Sequence, residues 1–245
     1  MPEKKPLGEQ NYEHFARRYA EIAETKPHNA YYDRPNTLSL LPDVHGLRVL
    51  DAGCGPGFYA ETLLERGAEV VAFDVTPEFV QITRERVGNR ATVLQADLSQ
   101  PLHFAQDASF DVVLCPLVLD YLQDWGAIFR EFHRVLKSGG LLIFSAGHPM
   151  GDWFWLQRKQ PEVAQNYFRT HQFTMTWHGF GEPAPVITSY RRPLAAMLNP
   201  LVEAGLLLDH VLEPLPTPDY QQHDPQGYEA LMREPGFICI RARKP

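Results

Sequence analysis

Apolar and polar positions along the 245-residue chain follow two rhythms, one helical and one of short buried runs. Tyr12, Phe15, Ala16, Tyr19 and Ala23 recur at helical spacing, which predicts an amphipathic N-terminal helix ahead of the proline-bounded segment 27–42. From Arg48 the pattern changes. Residues 48–51 read as a buried strand, 58–66 as a helix stopped by Gly67, and 69–73 as the next strand, which makes one βαβ unit. A second helix over 78–87 stops at Gly88, and strands follow at 91–94 and 110–115. The last of these is an unbroken apolar run, as a parallel strand covered on both faces requires. Trp125, Ile128, Phe129, Phe132, Val135 and Leu136 then form a helical stripe with Asp124 as the expected N-cap and Gly139 as its stop, before a fifth strand at 141–145.

Strands alternating with helices imply an α/β fold: a Rossmann-like, doubly wound, mostly parallel sheet that binds ligands beyond the carboxyl ends of its strands. Between residues 150 and 190 the rhythm breaks into an aromatic-rich stretch containing Trp153, Phe154, Trp155, Tyr167, Phe168, Phe173, Trp177 and Phe180. It is too long for an ordinary connection and too aromatic for disorder, so it reads as an insertion after the fifth strand that serves as a lid or substrate-binding element. An accessory subdomain or a dimer contact is the alternative reading. The βα rhythm returns with a helix over 194–204, closed by Gly205, and strands near 206–212 and 237–243. One domain over 1–245 is expected, with an N-terminal helical cap over 1–45 and the insertion at 150–190.

Composition narrows the class. Hydrophobic residues make up 44% and charged residues 22% of the chain, close to the globular averages of roughly 45–50% and about 25%. The longest apolar runs, such as 141–144, are strand-sized, so no membrane partner is expected. The first ten residues lack the apolar core of a signal peptide, which makes the cytoplasm the expected location. Cys54, Cys115 and Cys239 are isolated and odd in number, fitting neither a disulfide framework nor a metal site. A net charge of −7 offers no broad basic field for phosphates, which argues against a nucleic-acid partner and for a small-molecule one. Self-association is left open.

The candidate chemistry begins at Asp51-Ala52-Gly53-Cys54-Gly55-Pro56-Gly57, between the first strand and its helix. Glycines there permit positive φ and let a ligand approach the backbone, while the next helix aims free N–H groups at the turn. Asp74 closes the second strand, where such folds place a carboxylate on ribose hydroxyls, although it could instead cap the helix starting at Thr76-Pro77-Glu78. Gln95-Ala96-Asp97-Leu98 ends the third strand.

Val49 to Gly57 closely resembles motif I of class I S-adenosylmethionine-dependent methyltransferases, and the glycine spacing differs from the dinucleotide G-x-G-x-x-G pattern. Phe110 to Cys115 and the Leu136-Lys137-Ser138-Gly139-Gly140-Leu141 turn resemble later segments of the same family. The resemblance implies S-adenosyl-L-methionine as cofactor. Its contacts are then expected from Tyr19, Asp51, Gly53, Cys54, Gly55 and Gly57, from Asp74 and Val75 at ribose and adenine, from Asp97 and Leu98 at adenine, and from Cys115. For Asp97 a solvated turn is the competing reading.

Methyl transfer is an in-line displacement that needs alignment and exclusion of water more than a catalytic dyad. His148, leaving the fifth strand in Ser145-Ala146-Gly147-His148-Pro149, is the candidate base, with ordering of its own turn as the alternative. Tyr121, Asp152, Trp153 and Arg191 are the candidate acceptor-binding residues. The functional expectation is transfer of a methyl group to an O, N or C atom of a small molecule. A non-catalytic S-adenosylmethionine-binding protein and a nicotinamide-dependent oxidoreductase are the alternatives, the latter fitting the glycine spacing and Asp97 poorly.

Overall fold

The computed structural model describes residues 5–245. Strand β1 (Arg48–Ala52) pairs in parallel with β2 (Glu69–Asp74) on one side and β4 (Phe110–Pro116) on the other. β3 (Thr92–Gln95) extends the sheet beyond β2, and β5 (Leu136–Gly147) extends it beyond β4. Two antiparallel strands, β9 (Phe237–Arg243) and then β8 (Leu207–Leu212), complete the order β3-β2-β1-β4-β5-β9-β8. The sheet is therefore mostly parallel and doubly wound, as its alternating sequence pattern requires.

Consecutive residues of a strand feed opposite faces, so the sheet has two cores. Leu50, Phe73, Val113 and Phe144 pack against Phe129 and Phe132 of the helix Gly126–Val135 (α6 in chain order) and against Met197 and Leu201 of Leu194–Glu203 (α8). Val49, Ala72, Leu114 and Ile143 meet Leu63 of Phe58–Glu65 (α4) and Val80 of Pro77–Val87 (α5) on the other face. Full burial of side chains such as Phe129 and Phe132 gives each about 1.5–3 kcal/mol of transfer free energy.

Two elements differ from the sequence expectation, and Gly139, the expected stop of the helix, instead lies inside β5 because α6 ends at Val135. The N-terminal helix is two, Leu7–Tyr12 (α1) and Ala16–Ala23 (α2), because Phe15 leaves helical geometry at φ −144° and stacks on Tyr12 with ring centroids 5.3 Å apart. Asp124 is not the N-cap of α6; Trp125 holds that position, while Asp124 accepts the Gly126 N–H from one residue further out, at 2.9 Å. The aromatic segment is ordered, comprising the helix Pro149–Lys159 (α7) and a separate antiparallel hairpin of β6 (His171–Thr176) and β7 (Val186–Arg191). The hairpin is held over the carboxyl edge of the sheet by a third apolar cluster that joins Ile187 and Trp177 to Tyr12, Phe15, Phe79 and Ile82.

Candidate functional site

The carboxyl ends of β1, β2 and β4 open into a cavity of about 1170 Å³ that runs beneath α1 and the hairpin. Its floor begins at the glycine turn. The N–H groups of Gly53 and Cys54 donate to the Phe73 carbonyl at 2.8 and 2.9 Å, which folds the turn back onto β2. The three glycines serve different ends. At Gly53, with φ +77°, a Cβ would meet Val118 at 2.5 Å, and at Gly57 one would meet Thr83 at 3.0 Å, so packing excludes a side chain at both. A Cβ on Gly55 would meet nothing within 4 Å, because that residue faces the open cavity.

Asp74 is buried and pins this turn. One carboxylate oxygen accepts the Gly55 N–H at 2.9 Å and the other accepts the Thr76 N–H at 2.8 Å. Burial pushes its carboxyl up from the ordinary range, and the backbone donors oppose that shift. Asp74 thus orders the backbone just ahead of α5, whose N-cap is Thr76, and also lines the cavity. Asp97 also lines the cavity, with its oxygens on the N–H and hydroxyl of Ser99 at 2.8 and 2.7 Å. Val75, Leu98, Cys54 and Tyr19 complete this end, with Tyr19 stacked on Phe180 at 5.3 Å between ring centroids.

Asp51, Gly57 and Cys115 lie behind the lining rather than in it. Asp51 is fully buried, and neither of its oxygens has a hydrogen-bond partner among the described residues. Burial, then the charge of Asp74, pushes its carboxyl up to about 7. Cys115 is sealed in the core, where burial raises its thiol well above the ordinary value and leaves it unreactive. Carboxylates at the turn fit a cofactor that carries an ammonium and a sulfonium.

The cavity is walled further by Tyr121, Asp152, Trp155 and Trp177, together with Asp120. The hydroxyls of Tyr121 and Tyr12 are 2.7 Å apart. Asp120 sits in the short helical turn Leu119–Tyr121 after β4, and its carboxylate accepts the Gly147 N–H at 2.8 Å.

The structure does not bring His148, Trp153 or Arg191 to this cavity. His148 is buried as the N-cap of α7: its Nδ1 faces the N–H groups of Met150 and Gly151 at 3.2 and 3.4 Å, and its Nε2 is 2.8 Å from Glu213. Local capping turns the ring away from any acceptor. The Arg191 guanidinium, fully buried, donates to the carbonyls of Pro149, Tyr167 and Arg169 and lies 4.9 Å from the Trp153 ring centroid, so both side chains brace the hairpin.

Asp33 and Tyr59, hydrogen bonded at 2.7 Å, also line the cavity and were not evident from sequence. Asp33 ends a turn of π-helix, Asn29–Asp33, inside the proline-bounded stretch, where no hydrophobic period marks it.

Comparison with known proteins agrees with this geometry. A methyltransferase domain family matches residues 50–144. An uncharacterized protein of Haemophilus influenzae is 27% identical over 88% of each chain. A ubiquinone biosynthesis O-methyltransferase of Xanthomonas oryzae is 38% identical over 46% of this chain, and the matched segment spans 48% of that enzyme, so the chain covers about half the length of such relatives. An S-adenosylmethionine-dependent methyltransferase of Mesorhizobium loti superposes with a TM-score of 0.68 at 25% identity, over 91% of this chain and all of that one. The glycine turn, the acidic residues at successive strand ends, the strand order and these relatives agree: residues 50–144 carry a methyltransferase domain, set in a fold shared with S-adenosylmethionine-dependent methyltransferases.

Proposed function

We propose that the protein transfers the methyl group of S-adenosyl-L-methionine to an O, N or C atom of a small molecule held between the carboxyl edge of the sheet and the hairpin. The observation that carries this reading is the continuity of the cavity. A volume of about 1170 Å³ runs from the glycine turn to the aromatic wall, and typical ligand pockets hold roughly 300–1,000 Å³. There is room for a cofactor and a second molecule end to end.

Gly53, Cys54 and Gly55 would lie along the methionine and ribose, Asp74 would receive the ribose hydroxyls, and Val75, Asp97 and Leu98 would border the adenine. Asp51 would compensate the cofactor's positive charge from below the turn, and Tyr19 would close over it. When bound, the cofactor supplies a methyl group on positively charged sulfur. The protein's task is to align the acceptor and keep water out, which the hairpin at 171–191 serves as a lid. His148 and Arg191 act here as positioning residues, since their polar atoms hold α7 and the hairpin in place. Tyr121 and Asp152 face the acceptor, and Trp153 supports the Arg191 brace.

No helix among the described residues is long and apolar enough to cross a membrane. Three buried free cysteines support a cytoplasmic setting.

The test has two parts. Calorimetry is expected to show S-adenosylhomocysteine binding and no NADH binding. Incubation of a metabolite extract with methyl-labelled S-adenosylmethionine is expected to label a low-mass compound only when the protein is present. Absence of both binding and labelling refutes the proposal.

A further inference from the structure

Asp120 and Asp152 face the same end of the cavity from different elements, and Gly147 is the reason they can. The Gly147 N–H donates to Asp120 at 2.8 Å, whereas a Cβ on Gly147 would lie 2.6 Å from Oδ2 of Asp152. One carboxylate is held by this residue's backbone and the other occupies the space of its missing side chain.

Neither carboxylate has an ion-pair partner among the described residues, although two arginines are close by. Arg191 gives its guanidinium to the carbonyls of Pro149, Tyr167 and Arg169. Arg192 gives its own to Leu122 and Gln123 while stacking on Trp125 at 4.1 Å. Their charges reach the carboxylates only at a distance. The Asp152 carboxylate makes no hydrogen bond among the described residues, so its capacity to accept is free toward the cavity.

Burial pushes Asp120 up to about 6 and Asp152 up to about 8, with the charge of Asp120 adding to the shift at Asp152. Arg192 on one side and Arg191 on the other oppose these shifts. Near neutral pH Asp152 is therefore the more protonated of the two and Asp120 carries the negative charge, in a cavity also lined by Tyr121, Trp155 and Trp177. An uncompensated charge shielded from water favours a cation, and aromatic faces favour an ammonium in particular.

We infer that the acceptor subsite takes a protonatable amine carried on an aromatic or apolar molecule, with Asp120 and Asp152 as its anchor and Asp120 as the group that receives its proton. This deepens the methyltransferase proposal and rests on it. An ammonium R–NH₃⁺ gives one proton to a carboxylate oxygen of Asp120. The freed nitrogen pair forms the N–CH₃ bond as the C–S bond breaks, and the C–S electron pair stays on sulfur as a neutral thioether. The product, R–NH₂⁺–CH₃, carries the same charge as the substrate, and the proton on Asp120 leaves to solvent when the site opens.

The experiment uses the full chain saturated with S-adenosylhomocysteine, whose affinity is measured first by calorimetry. Tryptamine and phenethylamine are then titrated against their anionic counterparts indole-3-propionate and 3-phenylpropionate. The amines are expected to bind the wild type about tenfold or more tightly than the acids, and to lose about tenfold in Asp120→Asn and in Asp152→Asn, the scale of a lost charge-assisted contact. S-adenosylhomocysteine affinity is expected to stay within about twofold in both variants, which reports that they are folded. Amine affinity is also expected to rise with pH as Asp152 loses its proton, a dependence that a purely structural role would not produce. Equal or tighter binding of the acids, no binding of either amine, or amine affinity unchanged in both variants overturns the inference. Failure of the wild type to bind S-adenosylhomocysteine instead overturns the methyltransferase proposal and is seen before any amine is added.

Discussion

The backbone N–H of Gly55 ends on a carboxylate oxygen of Asp74, 2.9 Å away, so the glycine turn and the end of β2 form one hydrogen-bonded unit. The same carboxylate holds Thr76 at the start of α5. Asp74→Ala is therefore expected to have two effects. Loss of a charge-assisted partner weakens S-adenosylmethionine binding by roughly 1–3 kcal/mol. The unfolding midpoint falls as well, because two backbone donors lose their acceptor. Calorimetry and thermal melts on one preparation separate the effects, and an unchanged affinity removes the ribose role from Asp74.

Gly53 and Gly55, two residues apart, are expected to fail in opposite ways. Gly55→Val places its side chain in open cavity, so the protein stays folded at a cost of about 1 kcal/mol for positive φ while cofactor binding is lost. Gly53→Ala drives a methyl group into Val118, so its main effect is on stability. Melting temperatures of the two variants, read beside their S-adenosylhomocysteine affinities, check the ordering. Cofactor binding retained by Gly55→Val would show that its open face is not where the ligand lies.

The strands and the glycine turn were legible because each is a local pattern: an apolar run, a glycine stop, a carboxylate at a strand end. The antiparallel strands β8 and β9 were readable as strands, whereas β9 inserting between β5 and β8 is a tertiary fact that no local period encodes. The acceptor side was harder to read for the same reason. Asp120 and Asp152 belong to different elements and meet only through Gly147. His148 shows the converse, since its place at the end of β5 suggests a base while three-residue capping geometry directs its ring to Glu213. The hairpin lay inside a stretch read only for its aromatic content, although β6 does alternate, with Phe173 and Met175 between Gln172, Thr174 and Thr176.

His148 gives a pH prediction whose sign follows from its surroundings. Burial lowers its pKa below the ordinary 6.5, and Glu213 opposes the shift without reversing it. The unfolded chain therefore takes up the proton first as the pH falls. The capping contribution, about 0.5–2 kcal/mol for an N-cap, is present above roughly pH 6.5 and is lost as the pH falls through the folded-state value. Urea unfolding of wild type and His148→Ala is expected to show a stability gap at pH 8 that closes toward pH 5. A gap that widens on acidification would mean that the imidazolium paired with Glu213, rather than the neutral cap, is the stabilising form.

Asn11 provides the most direct access to the lid. Its side chain acts as a short stretch of strand: the amide nitrogen donates to the Thr188 carbonyl at 2.9 Å, and the amide oxygen accepts the Thr188 N–H at 3.0 Å. This pair ties α1 to β7 on the edge that β6 leaves free. Around it the hairpin is held to α1 and α2 mainly by the aromatic cluster of Tyr12, Phe15 and Trp177. Asn11→Ala removes both bonds and leaves the Thr188 backbone groups unpaired, a loss of roughly 1–3 kcal/mol concentrated at one hinge. Hydrogen exchange across 171–191 is expected to accelerate while exchange in β1, β4 and β5 stays unchanged. If the hairpin closes the acceptor end, KM for the acceptor rises and S-adenosylhomocysteine affinity holds, because the glycine turn and Asp74 are untouched. Faster exchange in the hairpin with unaltered acceptor kinetics would leave it a packed appendage, and the water-excluding role would have to pass to α1.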